Sequence, residues 1–140
     1  LWLQHHCGIY RSQDGGQHWL PLDAPDPSGF GFAVACDPVD PRRAWFVPAQ
    51  ADAQRFPVDG KMVVTRTDDA GASFRILDAG LPASHAYHLV YRHCLEVAPD
   101  GQTLAMASTT GGLWIGVDGG EHWHCVSRDL PPVAALGWVA

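Results

Sequence analysis

The stretch Ser12-Gln13-Asp14-Gly15-Gly16-Gln17-His18-Trp19 decides the fold, because the chain repeats it twice. The second copy is Thr67-Asp68-Asp69-Ala70-Gly71-Ala72-Ser73-Phe74 and the third is Gly116-Val117-Asp118-Gly119-Gly120-Glu121-His122-Trp123. The shared pattern is Ser/Thr-x-Asp-x-Gly-x-x-aromatic, with successive Asp residues 55 and 49 positions apart. Such a period is the mark of a repeat architecture. Each copy joins two strand-like runs, as Met62 to Arg66 and Phe74 to Leu77 flank the second. A short Asp carboxylate accepts hydrogen bonds from its own turn's N–H groups, and the Ser or Thr hydroxyl joins that network. The Gly supplies a positive φ where the chain reverses, and the aromatic ring covers the turn. The motif is a staple and holds no nucleophile.

Composition agrees with a strand-and-turn chain. Asp occurs 13 times against two Glu, and Arg eight times against one Lys. Glu and Lys normally fill exposed helix faces, so their near-absence argues against helices. Six Trp, five Phe and three Tyr favour strands. With 46% apolar residues in 140, the chain holds one modest core. It has no apolar run long enough for a membrane-spanning helix. A net charge of −6 argues against nucleic acid as partner. The first residue is Leu1, so a piece of a longer protein is expected.

The three motifs resemble the Asp boxes, or BNR repeats, of sialidases and many other β-propellers. The first is a full match. The second has Thr67 for Ser and Phe74 for Trp; the third has Gly116 where a hydroxyl is expected. The surrounding stretches Gln4 to Ser12, Phe30-Gly31-Phe32 and Leu130 to Val133 are similar to bacterial sialidase-like, BNR-repeat glycosyl-hydrolase-like proteins. The resemblance implies an all-β partial propeller of four-stranded antiparallel blades, each box lying between the third and fourth strands. The structural set is Ser12, Asp14, Gly16 and Trp19; Thr67, Asp69, Gly71 and Phe74; and Asp118, Gly120 and Trp123. Residues 1–22 then form three strands of one blade, over 2–4, 9–11 and 19–22. A second blade covers 30–77, its inner strand near 30–36, and a third covers 88–127, its inner strand near 89–97. Residues 133–139 are an extra or closing strand. Because a propeller closes with roughly four or more blades, the chain is expected to be the C-terminal part of a larger one, with exposed edges.

The resemblance also puts the boxes on the face opposite the ligand site. The ligand face is built from the connections His5 to Gly8, 23–29, 49–60 and 78–87. Aligning Asp37-Pro38 with Ala98-Pro99 matches Phe30 with Tyr91, Gly31 with Arg92 and Phe32 with His93. A guanidinium thereby replaces glycine at the ligand-side end of an innermost strand, where it suits a carboxylate or phosphate. The competing reading is an Arg bonded to backbone carbonyls or to an Asp. The ligand-binding candidates are His5, His6, Arg55, His88, Tyr91 and Arg92.

No metal or cofactor is expected, since no His pair has a third ligand at a convincing spacing. Cys36, Cys94 and Cys125 lie in apolar runs and read as small buried hydrophobes. A working sialidase of the resembled family uses three arginines, a Tyr nucleophile paired with Glu, and an Asp acid/base. Glu96 and Glu121 are the only glutamates here, and Glu121 sits in a box. The sequence therefore reads as a binding scaffold for a saccharide, another anionic small molecule or a protein partner. The alternative is an exo-sialidase-type glycoside hydrolase whose site lies partly in missing N-terminal blades.

Overall fold

The structure is a computed structural model and describes residues 1–139. Eleven strands form three antiparallel sheets in chain order. The first sheet joins β1 (Trp2–His5), β2 (Gly8–Arg11) and β3 (Leu20–Pro21). The second joins β4 (Gly31–Cys36), β5 (Ala44–Pro48), β6 (Val64–Thr67) and β7 (Arg75–Leu77). The third joins β8 (Leu95–Val97), β9 (Leu104–Ala107), β10 (Leu113–Val117) and β11 (His122–Ser127). Among the described residues the only helical turns are two three-residue 3-10 turns, Val58–Gly60 and Asp118–Gly120. No helix among them is long and apolar enough to cross a membrane.

The sheets stack face to face, and β5 shows how. All five of its residues are buried. Side chains alternate across a strand. Ala44 and Phe46 accordingly join Ile9 of the first sheet, while Trp45 and Val47 join Met62, Leu104, Met106, Trp114 and Trp123 toward the third. Sheets covered on one side only show the other pattern: in β10, Trp114 and Gly116 are buried while Leu113, Ile115 and Val117 are half-buried.

Two of the three repeated turns close as the sequence predicts. Ser12 Oγ donates to Asp14 Oδ1 at 2.8 Å and accepts the Gly16 N–H at 2.9 Å, while Asp14 Oδ1 accepts the His18 N–H at 3.0 Å. Thr67, Asp69, Gly71 and Ser73 repeat these contacts at 2.9, 2.8 and 2.8 Å. The third turn departs from the expectation. Asp118 adopts φ 54° within a 3-10 turn, and its carboxylate accepts no hydrogen bond among the described residues. The cause is Gly116, which offers no hydroxyl. A Cβ there would lie 3.0 Å from the Trp123 ring, which occupies that space and is 3% exposed.

The neighbouring sheet anchors that turn instead. The Gly119 carbonyl accepts from Trp45 Nε1 at 2.8 Å and from Arg66 Nη1 at 2.9 Å. Arg66 also reaches Asp68 and Glu121, and Arg75 grips both oxygens of Glu121.

Several boundaries differ from the sequence reading. Residues 133–139 form no strand; Ala135 makes a single parallel bridge to His93, and the segment crosses the third sheet from Gly111 past Ser108 to His93. The inner strand expected over 89–97 is regular only from Leu95 to Val97. Thr109 N–H bonds Leu89 O and Ala107 N–H bonds Cys94 O, so residues 90–93 stand opposite Ser108 alone and loop out of the ladder. Of the cysteines, Cys94 is buried, but Cys36 and Cys125 are exposed on outward strand positions, and all four are free thiols.

Candidate functional site

The loop face carries a cluster of aromatic rings and cations. Phe30 and Phe32 stand at the start of β4, flanking Gly31, with ring centroids 5.3 Å apart at 81°. Gly31 is needed there. A Cβ would meet Val47 O at 2.5 Å and the Gln4 amide nitrogen at 2.7 Å, since buried Gln4 reaches across to donate to Gly29 O. Ala49 and Leu89 complete the apolar base under the two rings.

Three of the six candidates converge on these rings. His6 stacks on Phe30 at 5.8 Å and meets Phe32 edge-on at 6.0 Å. The guanidinium carbons of Arg55 and Arg92 each lie 5.4 Å from the Phe32 centroid. A guanidinium over an aromatic face is held by the ring quadrupole. The two arginines differ in their partners. Arg55 is bound to its own loop: Nη2 donates to Asp52 Oδ1 at 2.5 Å and Nε to Asp52 O at 3.0 Å. His6 Nε2 lies 3.7 Å from the same carboxylate. Arg92 makes no hydrogen bond or ion pair among the described residues and is exposed, so its charge is open to a ligand.

Arg92 reaches this position by a route other than the one its sequence alignment implies. It is not on an inner strand; it sits in the looped-out segment 90–93, whose closing bond is Cys94 N–H to Tyr91 O at 2.9 Å. Extra residues in a strand re-aim side chains, and here Tyr91, Arg92 and His93 are all exposed in succession. Tyr91 flanks Arg92 and has no aromatic partner among the described residues.

The other two candidates lie elsewhere. His5 turns back on its own hairpin, stacking on Tyr10 at 4.9 Å and accepting the Cys7 N–H at 3.1 Å. His88 belongs to the third sheet. Its Nδ1 lies 3.1 Å from Ser108 Oγ and 2.5 Å from Thr110 Oγ1, and its ring meets Trp114 edge-on. Burial, helped by the charge of Arg128, pushes the His88 imidazole below its ordinary pKa of 6.5, which favours its neutral form.

Phe30 and Phe32 are the residues that sequence reading assigned to a strand and missed as a site. The available signal was the Phe-Gly-Phe spacing, which puts two rings on one strand face with a close approach between them. No group of three His, Cys, Asp or Glu able to hold a metal occurs among the described residues. Two carboxylates are engaged, Asp52 by Arg55, and Glu121 by Arg66 and Arg75 on the face of the repeated turns.

No family model matches the sequence. No curated protein matches it. Solved structures do. The GH74 xyloglucanase from Xanthomonas campestris aligns over 88% of this chain and 18% of its own, with 26% identity and a TM-score of 0.66. The GH74 enzyme of Niastella koreensis aligns over 93% of this chain and 20% of its own, with 17% identity and a TM-score of 0.65. YCF48 bound to D1 peptide aligns over 94% of this chain and 38% of its own, with 19% identity and a TM-score of 0.60. These neighbours are β-propellers, and the three sheets described above are part of the same all-β architecture. The chain spans less than two fifths of the length of each.

Proposed function

We propose that this chain is part of a larger Asp-box propeller that works as a binding scaffold, taking an anionic ligand or an acidic protein segment on its loop face. The observation that carries this reading is the contrast between two arginines on one ring. Arg55 is neutralised by Asp52, whereas Arg92 lies on Phe32 with no counter-charge. A cation placed over an apolar base and left unpaired is arranged to receive a carboxylate. Among the similar structures, YCF48 bound to a peptide supports a protein segment as occupant.

The test is direct. A short peptide with a free terminal carboxylate, its terminal amide, and N-acetylneuraminate are titrated against the protein and its Arg92→Ala variant. The carboxylate probes bind more tightly than the amide, and Arg92→Ala weakens them by about 2 kcal/mol with an unchanged melting temperature. Equal binding of all probes to both proteins refutes the reading.

A glycoside hydrolase is the second reading, favoured by the two GH74 enzymes. It requires two positioned carboxylates, and of the acidic residues near the Phe32 cluster Asp52 is held by Arg55. Release of reducing sugar from xyloglucan or of sialic acid from a sialoside would reverse the order of the two.

A further inference from the structure

A second concave site lies at the seam between the second and third sheets, away from the Phe32 cluster. It has a volume of about 300 Å³ and is lined by the outgoing connection Gly80 to Ala86, by His88 and Trp114, and by Arg128 just beyond β11. Two properties set its chemistry. The first is charge. The chain carries −6 overall, yet every ionisable group lining this cleft is basic: His85, His88 and Arg128. Arg128 is exposed and makes no hydrogen bond or ion pair among the described residues. Its charge is felt across the cleft at His88. The second property is the wall. Half-buried Pro82 supplies the accessible apolar surface, backed by Leu81, Ala86 and Trp114, which are 7, 2 and 2% exposed.

We propose that this cleft binds a small carboxylate bearing an apolar ring or chain, the carboxylate meeting Arg128 and the apolar body lying against Leu81, Pro82 and Ala86. The volume fits a ligand of that size. A neutral sugar is disfavoured because Trp114 shows almost no ring face for stacking. The His88 ring is fixed by Ser108 and Thr110 through Nδ1. Its other nitrogen, Nε2, is therefore the one free to bond a ligand oxygen.

Phenylacetate, phenylacetamide and acetate are the probes, followed by chemical shifts of Leu81, Ala86 and His88 in the purified protein. Phenylacetate is expected to bind about tenfold tighter than either of the other two, since each lacks one of the two complementary features. Arg128→Gln should bring phenylacetate and phenylacetamide to within about twofold of each other, and Arg128→Lys should recover part of the difference. Arg92→Ala should leave the shifts that each probe causes at Leu81, Ala86 and His88 unchanged, which separates this site from the one at Phe32. The proposal is overturned if phenylacetate shifts none of the cleft resonances, if the amide binds as well as the acid, or if acetate binds as well as phenylacetate.

Discussion

Asp14 and Asp69 each hold a turn by accepting N–H groups, and those bonds reach the titration of the carboxylates. The His18 amide and side chain, with Ser12, pull Asp14 down to about 2. The Ser73 hydroxyl and amide, with Thr67, lower Asp69 in the same direction. A carboxylate lowered in the folded state contributes stability that is complete above its unfolded value near 4 and lost as pH falls toward 2. Thermal melts should therefore decline over that window in the wild type and less in Asp14→Ala. At pH 7, Asp14→Ala or Asp69→Ala should lower Tm by a few degrees, and Asp118→Ala by less, because the Asp118 carboxylate meets only the exposed His122 ring, at 3.6 Å. Equal losses at all three positions would contradict the bonding described. His88 has the opposite chemistry with the same sign. Its folded value is depressed, so its contribution is complete above pH 6.5 and lost as pH falls below that. His88→Gln should flatten the stability profile between pH 7 and 5, read by melts at half-unit steps.

At the scale of strands and turns, the seam between the second and third sheets concentrates the stabilising contacts. Arg66 is 9% exposed and holds Gly119 O, Asp68 and Glu121; Arg75 shares Glu121 but is 57% exposed. Arg66→Met should cost about 1–3 kcal/mol, since it removes three hydrogen bonds of a nearly buried guanidinium, although Trp45, Arg43 and Arg75 remain as donors to the same acceptors. Arg75→Ala should cost under about 1 kcal/mol, as exposed pairs do. Denaturant melts of the two variants decide this; similar costs would mean that the seam is not where stability sits. Gly80 packs against the same seam at φ 91°, with Trp123 O 1.9 Å from where a Cβ would stand.

The strands and two closed turns were legible from sequence because their causes are local: a hydroxyl, a carboxylate and a glycine within five residues. The looped-out segment 90–93 was not, because it depends on Leu89 and Cys94 pairing with residues around Ser108 and on the crossing tail near Ala135. The site was legible in part for the same reason. Arg92 stood out as a guanidinium at the end of an expected inner strand, and His6 as part of a loop-face connection. Their common ring, Phe32, read as an ordinary strand residue, since only the fold brings Arg55 and Arg92 to it from two separate loops further along the chain.

For the molecule as a whole, the asymmetry of burial governs behaviour in solution. The second sheet is covered on both sides, whereas Leu113, Ile115 and Val117 leave one face of the third half-open, and β1 has no strand partner on its inner side among the described residues. Open faces and free strand edges invite association. The 140-residue chain should self-associate with rising concentration in sedimentation velocity, and Leu3→Lys on the β1 edge, where Leu3 is 39% exposed, should lessen it. A monomer across the whole concentration range would exclude this.

The Gly119 carbonyl, held at once by Trp45 and Arg66 of the preceding sheet, sets a limit on modularity. The third repeat has surrendered its internal fastening and borrowed one from its neighbour. Cutting the chain between repeats and grafting the third elsewhere would leave its turn without an anchor. The first two repeats carry their own fastening, whereas the transferable unit for the third is the pair of adjoining half-sheets across its seam.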